Sequence, residues 1–122
     1  MIVVDASAIL EILKQTPTGI EMAPSLAKAQ LHAPHLIDLE IVNALRRWEM
    51  LREMSHSDVQ QALEAFLETR IVRHNHTHLL QQIWSLRNNL TAYDAAYLAL
   101  ARTLDAELLT MDAGLRRLAA RR

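Results

Sequence analysis

Four acidic residues stand at positions from which a folded domain could use them. Asp5 closes the apolar run Met1-Ile2-Val3-Val4, and Asp112 follows the second run Glu107-Leu108-Leu109-Thr110. Asp94 falls in the first turn of an apolar stretch, and Glu40 lies at the edge of the apolar stripe of a long helical pattern. Carboxylates gathered without a counter-charge repel one another, which raises their pKa values and opposes folding. A hard divalent cation relieves that repulsion, and oxygen-only ligands favour Mg²⁺ or Mn²⁺ over Zn²⁺. Such an ion, held partly by water, suits phosphodiester hydrolysis: it generates hydroxide, and a second ion can stabilise the leaving oxygen. All of this requires the four acids to meet.

Taken singly, three of them are equally well explained as helix caps. Asp5 precedes a helical pattern, Asp112 precedes another, and Thr91-x-x-Asp94 resembles a capping box with Asp in place of Glu or Gln. The reading moves beyond capping because the arrangement strand, acid, helix occurs at both ends of the chain.

Apolar spacing places the elements. Short apolar strands are expected at about 2–4, 31–33, 71–73 and 107–110. Helices are expected from about Ser7 to Lys14, over 19–29 after a turn at Pro17 and Gly19, and over Leu36–Arg52. Others follow a cap at Ser55 or Ser57, over Leu79–Leu86, over Ala92–Thr103, and at the C-terminus. The helix from Ala92 is apolar nearly all round, so it is buried, and its alanines let it lie close against a sheet. Short apolar strands alternating with helices imply an α/β domain, a parallel sheet covered on both faces, with right-handed crossovers.

In such a sheet, sites form outside the carboxyl ends of the strands. Asp5 and Asp112 project from that same edge, and they meet if the first and last strands are neighbours. Glu40, on the helix after the second strand, and Asp94, on the helix before the fourth, can reach the same edge. Asp38 lies about 200° around the helix axis from Glu40, at roughly 100° per residue, so it faces other surroundings. Its expected part is a favourable interaction with the helix N-terminus.

Composition narrows the classes. The chain has 122 residues, enough for one domain spanning 1–122 with a real core. It has no cysteine, which removes disulfides and thiolate metal sites and fits a cytoplasmic protein. Two glycines, Gly19 and Gly114, exclude Gly-rich phosphate loops. No apolar run reaches membrane-spanning length, and no export signal is visible. Net charge is −1, but residues 1–45 hold five acids and two lysines, whereas the remainder holds eleven arginines and nine acids. Arg116, Arg117, Arg121 and Arg122 crowd the C-terminus; arginine suits bidentate phosphate contacts, and a solvated face explains any single one equally well. His74, His76 and His78 alternate, which suits a loop or frayed strand better than a metal site, since no fourth ligand is evident. The other histidines read as surface residues.

The segments Val-Val-Asp-Ala-Ser, Asp-Leu-Glu-Ile-Val-Asn-Ala-Leu-Arg-Arg, Leu-Thr-Ala-Tyr-Asp-Ala-Ala-Tyr-Leu-Ala-Leu-Ala and Leu-Leu-Thr-Met-Asp together resemble a PIN domain, in particular the VapC toxins of bacterial toxin–antitoxin pairs. The resemblance runs through nearly the whole chain in the right order. It implies a single PIN-like domain with four strands, or five where the family's last strand is present. It further implies a Mg²⁺-dependent endoribonuclease (Mn²⁺ substituting) that cuts single-stranded or looped RNA and is held inactive by a small VapB-like antitoxin. The family's acidic quartet falls on Asp5, Glu40, Asp94 and Asp112, and its supporting polar positions on Ser7, Asn43 and Thr110. It also implies dimers; Trp48, Met50, Trp84, Tyr97 and Leu98 exceed what a thin four-stranded core needs, so a homodimer is expected through helices near 36–52 and 84–104.

Rival readings fit less well. A receiver-like phosphoacceptor pairs two acids after its first strand and carries a lysine near its last, and neither is present. A haloacid-dehalogenase-type phosphatase needs Asp-x-Asp where this chain has Asp5-Ala6-Ser7. A catalytically silent PIN-like binding module would not need all four acids. A structure-specific DNA nuclease would be expected to carry added arches or clamps.

Overall fold

The computed structural model describes residues 1–121. Four strands, β1 (Ile2–Val4), β2 (Leu31–Pro34), β3 (Ile71–His74) and β4 (Glu107–Leu109), form one parallel sheet in the order β3-β2-β1-β4. The first and last strands are therefore neighbours, with Val4 opposite Leu109. β1 is central and its Val3 and Val4 are fully buried, as a β-branched run between two parallel partners should be.

Among the described residues seven helices surround the sheet: α1 (Ala6–Lys14), α2 (Pro17–Lys28), α3 (Leu36–Met50), α4 (His56–Glu68), α5 (Leu80–Ser85), α6 (Ala92–Leu104) and α7 (Ala113–Ala120). They form two groups. α1 packs with α2, α3 and α4, while α6 lies on β1, β2 and β4 and is flanked by α5 and α7. That double covering explains why every residue from Ala95 to Ala101 is buried. The small side chains let α6 sit against the sheet, beside Val3, Val4 and Ala33 in the core.

Three of the boundaries that differ from expectation have a physical consequence. α2 begins at Pro17 rather than after a turn at Gly19. Thr16 caps it by accepting from the Gly19 N–H, and a proline at the first helical position loses no hydrogen bond. Gly19 is needed for close approach instead: a β-carbon there would stand 2.1 Å from the Glu11 carbonyl oxygen of α1. The helix expected over Leu79–Leu86 is the short α5, preceded by a 3-10 turn (Thr77–Leu79). β4 stops at Leu109, so Thr110 leaves the ladder, with a consequence for the site. Among the described residues there is no fifth strand, and β4 forms one edge of the sheet.

Candidate active site at the carboxyl edge

The pairing of β1 with β4 brings the two ends of the chain together. The Asp5 N–H donates to the Leu109 carbonyl at 3.2 Å, so Asp5 and Thr110, each one residue past its strand, stand side by side. Asp5 is 5% exposed and Thr110 1%. Burying a carboxylate is tolerable only when its oxygens are satisfied. Asp5 Oδ1 accepts from the Ser7 hydroxyl at 2.6 Å and from the Ala8 N–H at 3.2 Å. Asp5 Oδ2 accepts from the Thr110 hydroxyl. Ser7 Oγ also accepts from the Met111 N–H at 2.9 Å, and Thr110 Oγ1 from the Asp112 N–H at 3.0 Å. Two hydroxyls thus tie the carboxylate of β1 to the turn after β4. Ser7 and Thr110, two of the expected supporting positions, are brought together at Asp5. Asn43 is not part of this network; it is exposed on α3, one turn beyond Glu40.

Capping and membership of the site coexist. Asp5 is the N-cap of α1, and Asp112 is the N-cap of α7 through a 2.7 Å bond from the Leu115 N–H to Oδ1. For α6 the cap is Thr91, whose hydroxyl accepts from the Asp94 N–H. The reciprocal half of a capping box does not form, and the Asp94 carboxylate takes no hydrogen bond among the described residues. Capping therefore does not explain Asp94.

Glu40 is half-buried, and its Oε1 accepts a 2.5 Å hydrogen bond from the Tyr97 hydroxyl. Tyr97 is 1% exposed, and burial first, then the bond to Glu40 and the charge beside it, hold its hydroxyl protonated far above the ordinary range. This residue corrects an expectation, because Tyr97 belongs to the core and the site and not to a dimer surface. Its position three residues after Asp94, on the same face of α6, was the available signal.

The electrostatics join all four acids. The Glu40 pKa is raised, mainly by burial and further by Asp5 and Asp94, against the opposing hydrogen bond from Tyr97. The Asp94 pKa is raised by burial, then by Asp112 and Asp5. Among the described residues no lysine or arginine forms an ion pair with any of them. Four segments thus bring four carboxylates into mutual range without a cationic partner among the described residues. They are spread, however: among the described residues, no three acidic or imidazole groups stand close enough to hold an ion between them.

Asp38, on the other face of α3, has a partner. Arg73 of β3 grips it, with Nε at 2.9 Å from each oxygen and a second guanidinium nitrogen at 2.8 Å from Oδ1. Its role is to join α3 to β3, which local helix reasoning could not reveal.

The histidines behave as two groups. His76 and His78 are exposed, and His74 bonds instead to His32, Nε2 to Nδ1 at 2.8 Å. His32 is 6% exposed, so it is not the surface residue expected, and burial together with His74 lowers its pKa. Of the apolar residues assigned to an interface, Leu98 is buried and Trp48 is half-buried under Lys14, whose ammonium stands 5.0 Å from the ring. Met50 and Trp84 are exposed, together with Leu39 and Val42 on the outer face of α3.

The open parallel sheet with helices on both faces, and acidic residues gathered beyond the carboxyl ends of its strands, defines the chain's class as an α/β domain. The sequence defines it further: residues 2–121 match the family described as PIN domain, and the chain belongs to that family. It is 39% identical over 112 residues to VapC ribonuclease Mb0985 of Mycobacterium bovis, covering 92% of this chain and 86% of the relative. It is 40% identical over 115 residues to ribonuclease VapC1 of Mycobacterium tuberculosis, covering 93% and 86%. The fold is similar to that of M. tuberculosis VapC20, described as a sarcin-ricin loop cleaving toxin. There the TM-score is 0.68 at 14% identity, over 97% of this chain and 95% of that one.

Proposed function

We propose that the chain is an endoribonuclease toxin of the VapC kind, dependent on Mg²⁺ or Mn²⁺ and silenced by a small antitoxin. The observation that carries this is the gathering of Asp5, Glu40, Asp94 and Asp112 without a basic partner among the described residues, where two of them already hold raised pKa values. The donor set fits a hard cation. Every ligand atom is oxygen, and Mg²⁺ keeps several waters and takes one or two carboxylates directly, so carboxylates spread around a site suit it. Asp5, Glu40, Asp94 and Asp112 would hold it. When bound, the ion would activate water at neutral pH and offset charge on the phosphate.

The chain's own residues have separable parts in this mechanism. Ser7 and Thr110 fix the Asp5 carboxylate and leave it no freedom to turn away. Tyr97 aims Glu40 and favours its ionised form. Asp94, its carboxylate unencumbered by capping, is free to turn to the ion. Attack of water on phosphorus leaves a 5′-phosphate and a 3′-hydroxyl.

The antitoxin reading rests on the same repulsion, since a basic side chain inserted among the acids would offset it in place of the ion. The exposed Leu39, Val42, Met50 and Trp84 give helices α3 and α5 an apolar surface for a second copy of the chain. Light scattering should then show a dimer, and a monomer at high micromolar concentration removes that part.

The test is cleavage of single-stranded RNA by protein freed of its partner. Activity should require Mg²⁺ or Mn²⁺ and stop with EDTA. Cleavage that survives chelation, or products ending in 2′,3′-cyclic phosphate, would overturn the mechanism. Tight RNA binding without cleavage under any divalent ion would favour a silent binding module.

A further inference from the structure

A groove of about 430 Å³ opens directly from the acidic site. Asp94 and Asp112 form one part of its lining; Asn89, before α6, and Arg117 and Arg121, on and just after α7, form another. Arg117 lies on α7 and Arg121 is its extended C-cap, and both line the same groove. Both are exposed, and neither has an ion pair among the described residues. Gly114 keeps the space between charge and counter-charge open. A β-carbon there would stand 3.3 Å from Asp112 Oδ1 and 3.9 Å from an Arg117 guanidinium nitrogen. Neighbouring arginines are already employed: Arg116 donates to the Thr110 carbonyl at 2.8 Å, and Arg102 to the carbonyls of Leu118 and Arg121. Arg117 and Arg121 are thus two uncommitted guanidinium groups beside an acidic site that would otherwise repel a polyanion.

We propose that Arg117 and Arg121 grip an RNA phosphate adjacent to the scissile one, with the Asn89 amide beside the same nucleotide, so that the groove fixes the direction in which the strand crosses the acids. Arginine suits this work because its planar fork meets phosphate oxygens bidentately. The proposal rests on the ribonuclease reading above. These are positioning residues, and they bind ground and transition states alike.

Binding of a fluorescent single-stranded RNA, measured by anisotropy in EDTA so that no cleavage occurs, tests it. The control variant K28Q/R70Q removes the same charge from positions preceding β2 and β3, at the far edge of the sheet. R117Q/R121Q should weaken binding about tenfold and reduce the slope of log K against log salt by about 0.7, the contribution of one single-strand phosphate. With Mg²⁺ it should raise KM while kcat stays within about threefold, as loss of uniform binding does. Its Tm should match the parent's, since neither side chain holds an ion pair among the described residues. Equal losses in R117Q/R121Q and K28Q/R70Q would mean bulk charge alone and overturn the proposal, as would a fall in kcat at constant KM. A parent protein that neither binds nor cuts RNA would instead bring down the ribonuclease reading, and the groove's substrate with it.

Discussion

Tyr97→Phe removes one hydroxyl from the centre of the account and nothing else. The ring is 1% exposed and its shape is unchanged, so packing on α6 should hold. What is lost is the donor to Glu40 Oε1. Hydrogen bonds to charged groups contribute about 1.5–3 kcal/mol, but Glu40 is half-buried and water can replace part of this, so about 1 kcal/mol is expected. For a chain of this size that is a fall in Tm of about 4 °C. The Tyr97 bond lowers the Glu40 pKa against the burial and repulsion that raise it, so its loss moves that pKa further up. The acid limb of the kcat/KM profile should therefore move to higher pH. A group orienting a cation ligand typically accounts for about ten- to a hundredfold in activity, and a loss in that range is expected at neutral pH. Urea denaturation and a pH–rate profile of RNA cleavage, parent against variant, make the measurement. An unmoved acid limb, or one moved to lower pH, would refute the coupling of Tyr97 to Glu40.

Glu40→Gln should abolish activity by orders of magnitude while stability at neutral pH holds or rises, whereas Asp38→Asn should cost at most about 1 kcal/mol through the partly exposed Arg73 pair and leave cleavage within a few-fold; equal losses of cleavage would contradict the assignment of α3's two faces. Asp94 has a folded pKa above its unfolded value, so its ionisation costs stability above the folded pKa and that cost disappears as pH falls below the unfolded value. The metal-free Asp94→Asn protein should accordingly have a higher urea midpoint than the parent at pH 7 and the same midpoint at pH 3, the reverse ordering being the contrary result. Gly19→Ala should destabilise by about 1–3 kcal/mol, because its β-carbon meets backbone of α1 that cannot yield; a Tm unchanged within 1–2 °C would contradict the close packing of α1 on α2.

The strands and the long helices were legible because their signals are local. Val3 and Val4 are β-branched and apolar before an acid, and α6 carries alanine on nearly every face, so burial could be read from composition alone. The neighbouring of β1 and β4 was only a condition in the sequence. It is settled by pairing between residues more than a hundred positions apart, which no window contains. The same limit hid the Asp38–Arg73 pair and the His32–His74 contact, each made by residues on different elements. The interface reading of Tyr97 fails because the core that buries it is built from other elements, and its hydroxyl has meaning only once α3 lies opposite. The start of α2 differs from expectation because Pro and Gly both signal turns locally, whereas here the proline opens a helix and the glycine admits a neighbouring backbone.

The claim on which the rest depends is that the four acids hold a divalent cation, and it can be tested without RNA. The thermal stability of the purified, partner-free protein is followed as Mg²⁺ or Mn²⁺ is added, for the parent, Asp5→Asn, Asp94→Asn and the control Asp38→Asn. Binding to the folded state alone stabilises by about 2.7 kcal/mol at a hundredfold excess over Kd, so the parent and Asp38→Asn should rise in Tm together and approach saturation, while Asp5→Asn and Asp94→Asn should not respond. A parent Tm that ignores the ions, or a rise that survives loss of Asp5 and Asp94, would contradict the account.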